Sequence, residues 1–257
     1  MHVDLTGRSA IVTGAASGIG RAIAEAFAAS GARVLLADVN QSDGEKVAAG
    51  LKDCAFQKAD IGSRDDCKRL VDRALELYGG VDILVNNAGL QRIHPVEEFP
   101  EDEWEWLVRV MLIGAFLLTK YSVPHMYRKG WGRVINISSL HGLVASPYKS
   151  AYVAAKHGLL GLTKTVALEA AGHGVTVNAI CPSYVRTAIV EKQIAEQAKI
   201  HGIGADEVVQ KIMLEPAAIK RLLEPREVAA YALFLCSDEA SGITGAAQLM
   251  DAGWTAR

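Results

Sequence analysis

Short apolar runs alternate along this chain with longer stretches of helical periodicity. The runs Arg8–Thr13, Arg33–Ala37, Ala55–Ala59, Asp82–Val85, Arg133–Ile137, Thr176–Ile180 and Ala247–Met250 are short and rich in aliphatic residues, as buried strands are. Between them, helical patterns reach Ser30 and cover Ser42–Leu51, Ser63–Tyr78, Glu101–Arg128, Ser150–Glu169 and Pro225–Cys236. Such alternation predicts βαβ units with right-handed crossovers. The fold class expected is α/β: a single-domain, doubly wound parallel sheet with helices on both faces. One stretch breaks the rhythm. Ile189 to Leu214 is polar and helix-prone, with Gly202 and Gly204 inside it, and predicts a helical lid over about 187–215.

Composition narrows the classes. With 257 residues the chain is long enough for one large α/β domain, and 50% hydrophobic residues suit a well-buried core. A formal net charge of -2 gives no electrostatic footprint for nucleic acid or for an anionic membrane. Cys54, Cys67, Cys181 and Cys236 lack metal-ligand spacing and read as reduced packing residues of a cytoplasmic protein, with no metal expected. The first strand begins with no leader pattern before it, and no apolar run approaches the roughly 20 residues of a membrane span. The Glu101–Arg128 helix carries Trp104, Trp106, Phe116 and Tyr121, and together with Ser150–Glu169 is more apolar than one sheet face requires. That excess predicts an isologous subunit interface.

The chemistry-bearing residues gather at the ends of the predicted strands. Gly14-Ala15-Ala16-Ser17-Gly18-Ile19-Gly20 lies between a strand and a helix, the frame a dinucleotide-binding turn requires. Its glycines allow close backbone approach to a pyrophosphate, and the helix start offers free N–H groups. The second strand ends at Asp38, where a carboxylate accepts bonds from ribose hydroxyls and repels a 2′-phosphate. Ser17 and Val39 supply no cation for that phosphate, which favours NAD over NADP. Asp38 as a simple helix cap is the plainer alternative. Ser138-Ser139 closes the fifth strand, and Tyr152 and Lys156 share one face of the following helix at i, i+4 spacing. A cation beside a phenol lowers its pKa and poises it to exchange a proton with an alcohol oxygen. On its own the Tyr/Lys pair also fits an ordinary solvated helix face.

Taken together, Thr13-Gly14-x-x-x-Gly18-Ile19-Gly20, Asp60, Asn86-Asn87-Ala88-Gly89, Ser139, Tyr152 and Lys156 resemble the short-chain dehydrogenase/reductase family over nearly the full length. The resemblance implies a Rossmann-type fold, a nicotinamide cofactor and a homotetramer. It implies Tyr152 as general acid/base, Lys156 as holder of the nicotinamide ribose that lowers the Tyr152 pKa, and Ser139 as partner of the reacting oxygen. It further implies Asp60 and Ile61 near the adenine, and Asn87, Ala88, Gly89, Pro182, Val185 and Thr187 among the cofactor-binding residues.

A narrower likeness, to the bacterial (R)-3-hydroxybutyrate dehydrogenases, rests on Gly89-Leu90-Gln91, His94–Pro100, Ser139-Leu140-His141-Gly142-Leu143, Lys149, Tyr152–Leu162, Gln193 and Gly253-Trp254. It implies that Gln91, His141, Lys149 and Gln193 hold a small hydroxy acid by its carboxylate, with Tyr184 as an aromatic wall. Three positions depart from the pattern. Met111 stands where most members carry an Asn held to anchor a relay water, and a thioether is a weak acceptor and no donor. Pro182-Ser183 replaces a Pro-Gly turn, which would strain any backbone needing positive φ at Ser183. Tyr184 replaces a Trp. The expected activity is NAD-dependent oxidation of (R)-3-hydroxybutyrate to acetoacetate. The alternatives are a dehydrogenase of another secondary alcohol, a sugar alcohol or 3-oxoacyl thioester, and a non-catalytic NAD-binding regulator.

Overall fold

In the computed structural model, which describes residues 3–256, seven strands form one parallel sheet in the order β3-β2-β1-β4-β5-β6-β7. They are β1 (Ser9–Thr13), β2 (Arg33–Asp38), β3 (Ala55–Lys58), β4 (Ile83–Asn86), β5 (Gly132–Ile137), β6 (Val175–Pro182) and β7 (Ala247–Met250). The chain winds outward from β1 to β3, then returns to lay β4 against the other side of β1. That reversal opens a crevice beyond the carboxyl ends of β1 and β4, where an open α/β sheet binds its ligand.

Strand periodicity divides the core in two. Val12, Leu36 and Val85 face α1 (Gly18–Ala29) and α9 (Pro225–Leu235), packing on Ile23, Phe27, Val228 and Leu235. Ile11, Leu35 and Leu84 face the opposite layer, formed by α3 (Arg64–Tyr78), α5 (Gly114–Lys129) and α6 (Ser150–Ala170). Leu70, Val71, Leu118 and Val166 fill that side. Both faces are covered, so every central strand reads as a continuous apolar run. α2 (Gln41–Ala49) completes the first layer and is capped by the Asn40 side chain, which accepts from Asp43 N–H at 3.2 Å.

The long helix expected over Glu101–Arg128 is not uniform. α4 (Glu101–Val108) passes into a π-turn over Arg109–Ile113 before α5 begins. π-turns of this kind are frequent at functional sites, and this one is centred on Met111. The whole segment, Glu101–Lys129, is long and apolar enough by composition to cross a membrane, contrary to the reading that no run approaches that length. Half of its most apolar window is buried inside the protein, which explains the composition as a packing face. The strain anticipated at Ser183 is also absent. Its φ is not positive, and its N–H donates to the Met250 carbonyl at 3.0 Å as part of the strand edge.

After β6 the chain leaves the sheet for a helical excursion: α7 (Ala188–His201), α8 (Ala205–Val208) and a second π-turn, Val209–Met213. Gly202 ends α7 with φ 64°, a conformation that costs a glycine little. The excursion hangs on a neck, where Leu223 N–H donates to the Tyr184 carbonyl and Arg186 N–H to the Leu223 carbonyl, at 2.9 and 2.8 Å. Polar in sequence, it nonetheless has an apolar side of its own. Val190, Ile194, Val208, Met213, Leu214, Ala217 and Leu222 bury one another, with Tyr184 and Trp254 against them.

Candidate active site

The crevice is a cavity of about 520 Å³ lined from the carboxyl ends of the strands. At one end lies the glycine turn. Gly14 and Gly18 have φ of 64° and 55°, and a Cβ on Gly14 would sit 2.8 Å from the Asn87 Nδ2. Asn87 staples this turn to β4, with Nδ2 donating to the carbonyls of Thr13 and Gly14 at 2.8 and 3.2 Å. Thr13 Oγ1 accepts from the N–H groups of Asn87 and Ala88, each at 3.0 Å. Gly20 does not line the cavity. A Cβ there would lie 2.2 Å from the Gly14 carbonyl oxygen, so its role is to let α1 close behind the turn. α1 starts at Ser17 with no side-chain cap and no acidic residue in its first turn, leaving N–H donors facing the cavity. An anionic pyrophosphate fits that end by charge and by space.

Asp38 stands at the tip of β2, its Oδ2 accepting from Ala16 N–H at 3.0 Å and its Oδ1 from Asn40 N–H at 2.9 Å. Those bonds fix the carboxylate at the cavity wall beside Val39. Asp60 and Ile61, after β3, line the same region, with Asp60 Oδ1 accepting from Gly62 N–H at 2.8 Å.

The reacting end is built by β5 and α6. A buried polar ladder fixes their relation. Asn86 Nδ2 donates to Asn136 Oδ1, and Asn136 Nδ2 to Thr163 Oγ1, both at 2.8 Å. The Lys156 ammonium is 4% exposed, donates to the Ile137 carbonyl at 2.7 Å and lies 5.5 Å from the Tyr152 ring centroid. Burial lowers its pKa to about 8. At Tyr152 the expected direction is reversed. Desolvation raises the phenol's pKa, and the opposing pull comes from a hydrogen bond with Ser139 rather than from Lys156. The cation sits across the ring instead of against the hydroxyl, so in this pocket burial outweighs it. Met111 Sδ and Lys156 Nζ flank Gly89, each 3.8 Å from where a Cβ on that residue would be.

Beyond Tyr152 lie the side chains expected at the substrate. His141 is buried, its Nε2 is 2.7 Å from Ser146 Oγ, and its ring meets that of Tyr152 edge-on with centroids 6.2 Å apart. Burial, and then the nearby Lys149 charge, depress its pKa to about 4, so the ring is neutral at physiological pH. Lys149 is half-buried with its Nζ 5.8 Å from the Tyr184 ring centroid, and burial lowers its pKa too. Tyr184 in turn packs on Trp254, centroids 6.0 Å apart. Gln91 from the β4 loop and Gln193 from α7 complete this end, and Gln91 Oε1 is buried without a hydrogen-bond partner. Pro182, Val185 and Thr187 line the passage between the two ends.

Comparison with known proteins matches this arrangement. The family model described as enoyl-(acyl carrier protein) reductase covers residues 14–255. A D-beta-hydroxybutyrate dehydrogenase from Rhizobium meliloti is 45% identical over 97% of this chain and 99% of its own. The chain belongs to the short-chain dehydrogenase/reductase family. It is therefore an oxidoreductase of the CH–OH class in a family that generally uses NAD(P). A second D-beta-hydroxybutyrate dehydrogenase, from Cupriavidus necator, is 42% identical over 98% of this chain and 100% of its own. A 3-oxoacyl-[acyl-carrier-protein] reductase from Thermotoga maritima is 35% identical over 97% and 98%.

In this short-chain dehydrogenase, the residues expected to touch cofactor or substrate, Gly20 excepted, line one cavity. Others join them that were given no site role. Leu90, Val110, Ala188 and Val190 give the wall its apolar surface, and Trp106, assigned by pattern to a subunit contact, reaches it as well. Aliphatic residues of this kind look the same in sequence whether they face a core or a ligand. Ser138, named beside Ser139 but given no role of its own, also lines the cavity; its hydroxyl donates to the Lys156 carbonyl at 3.2 Å.

Proposed function

We propose that this enzyme reversibly oxidises (R)-3-hydroxybutyrate to acetoacetate with NAD. The observation that carries the reading is Lys149. Among the described residues this half-buried ammonium has no carboxylate partner, and it lines the cavity with His141, Gln91 and Gln193, on the far side of Tyr152 from the glycine turn. A cation held out of water asks for an anion. A short hydroxy acid with its carboxylate there presents its hydroxyl to Ser139 and Tyr152.

Bound NAD supplies the hydride acceptor. Ser139 hydrogen-bonds the substrate oxygen, and Tyr152 exchanges the proton with that oxygen, accepting it as phenolate in oxidation and returning it as phenol in reduction, while Lys156 would hold the ribose. Neutral His141 and the two glutamines fix the carboxylate, so much of the rate comes from orientation. Asp38 and Val39 support NAD over NADP, as does Arg21, whose Nε is engaged by Glu25 at 2.7 Å. We place α7 and α8 as a lid that closes over the substrate and brings Gln193 to it. Exposed Ile113 and Phe116 on the α4–α5 segment and Leu168 on α6 support self-association, and the family resemblance makes the assembly a homotetramer. The four free cysteines support a cytoplasmic enzyme, and the net charge of -2 one without nucleic-acid or anionic-membrane partners.

The test is the initial rate of NADH formation with (R)- and (S)-3-hydroxybutyrate, each with NAD and NADP. Turnover confined to the (R) acid with NAD is expected, with Lys149→Ala raising KM for it by about tenfold or more, the loss of one charge-assisted contact. Failure on both acids while NAD still binds overturns the reading. The second choice is then a 3-oxoacyl thioester, favoured by the apolar wall of Leu90, Val110 and Val190.

A further inference from the structure

Two successive residues just before α6 break local rules. Pro147 and Tyr148 form a turn in which Tyr148 has φ of 67°, a left-handed conformation that favours Gly or Asn. Its side chain is 58% exposed, so ring packing does not explain the choice. Lys149 follows as the residue capping α6, with φ −124°, ψ 32° and no side-chain cap bond. Lysine is a poor N-cap, and its charge sits against the positive end of the helix dipole. That ammonium is moreover half-buried without a carboxylate. Such outliers persist only where the surroundings over-determine them, and they cluster where strain serves a function.

The surroundings are specific. The loop after β4 comes back over this turn, and the His94 N–H donates to the Tyr148 carbonyl at 3.0 Å. The His94 ring is itself held, 4.9 Å from the Phe99 ring and with its Nε2 3.5 Å from Glu103 Oε2. Gln91, three residues earlier on the same loop, lines the cavity. One backbone bond thus locks together two segments that each send a polar side chain to the substrate end.

We propose that Tyr148 is a positioning residue: its left-handed turn, anchored by the His94 N–H, aims Lys149 into the substrate end of the cavity. The turn reverses the chain direction just before α6, so that Lys149 points inward over Tyr184 instead of out to solvent from the first helical turn. The proposal rests on the reading of Lys149 as the carboxylate partner given above.

The test separates backbone from side chain. Tyr148→Asn tolerates positive φ, while Tyr148→Ile resists it. Asn is expected to keep KM for hydroxybutyrate within about twofold of wild type, whereas Ile raises it about tenfold with kcat nearly unchanged, the signature of lost binding. An independent readout is the Lys149 signal in a pH titration of the reductively ¹³C-methylated protein, assigned with Lys149→Arg. Its midpoint is expected to rise toward those of exposed lysines in Tyr148→Ile and to stay in Tyr148→Asn. Should Tyr148→Ile fail to fold, His94→Pro removes the anchoring N–H and is read the same way. An unmoved Lys149 signal in the turn-breaking variant overturns the proposal. A moved signal, with Lys149→Ala leaving KM untouched, upholds the turn and overturns the carboxylate reading instead.

Discussion

Replacing Lys156 by Met is expected to stabilise the protein while abolishing its activity. The side chain is 4% exposed and is flanked by Met111, Gly89 and Ile137, with a single carbonyl as its hydrogen-bond partner. Burial takes its pKa from the ordinary 10.5 to about 8. At about 1.4 kcal/mol per pH unit, the charged form is disfavoured in the folded protein by about 3 kcal/mol. Below pH 8 the lysine is charged in both states, so wild type bears the whole penalty. Between pH 8 and 10.5 the unfolded chain holds a proton that the folded one has lost, and stability rises with pH. Urea unfolding of wild type and Lys156→Met at a series of pH values isolates this effect, because other titrations cancel in the difference. The variant is expected to be more stable by about 1–3 kcal/mol at pH 7, after allowing for the lost bond to the Ile137 carbonyl, and wild type to close the gap above pH 8. A difference that stays flat from pH 7 to 10.5, or a wild type that is the more stable at neutral pH, refutes the reasoning. Its confirmation makes Lys156 a residue kept for chemistry against its effect on folding.

Two further outcomes follow from the geometry. Asp38→Asn keeps an acceptor for the Ala16 N–H but removes the charge facing a 2′-phosphate; the ratio of kcat/KM for NAD over NADP is expected to fall by about tenfold or more, and an unchanged ratio contradicts the role given to Asp38. His141, neutral with a pKa near 4 in the folded protein, contributes stability that is intact above its ordinary value of 6.5 and lost as pH falls toward 4. The drop from 6.5 to about 4 sets that loss at about 3 kcal/mol, so His141→Gln should flatten the acid limb of the stability curve, and an unaltered limb removes His141 as its cause.

The sheet, its order of elements and the convergence of the strand-end motifs were legible because burial on both faces writes continuous apolar runs, and the motifs follow directly after them. Boundaries agreed to a residue or two, as with α6 and β7. What stayed hidden depends on three-dimensional context. The π-turn around Met111 leaves no mark in a helical pattern that reads the same on both sides of it. The left-handed Tyr148 is imposed from His94, distant in sequence, against its own preference. The direction of the Tyr152 shift turns on where the Lys156 ammonium lies relative to the phenol oxygen, which i, i+4 spacing does not specify. The apolar side of α7 and α8 was masked by the many charges on their outer face.

That apolar side gives the excursion after β6 a small core of its own. Among the described residues the excursion after β6 has a core sharing no buried residue with either core of the sheet; two backbone hydrogen bonds tie its neck, and the N–H groups of Ala218 and Ile219 hold it to the chain end after β7 by donating to the Ala252 carbonyl, each at 2.9 Å. A substitution at Val190 or Met213 alters how this unit holds together without loosening β1 or β4. Exchange of the unit at its neck for the corresponding segment of another family member leaves the nucleotide turn, Ser139, Tyr152 and Lys156 undisturbed. The substrate end is thereby shared between two parts of the chain: the excursion contributes Gln193 and the apolar Val190, while Gln91, His141 and Lys149 come from segments packed on the sheet, so a change in the excursion reshapes only one side of the pocket.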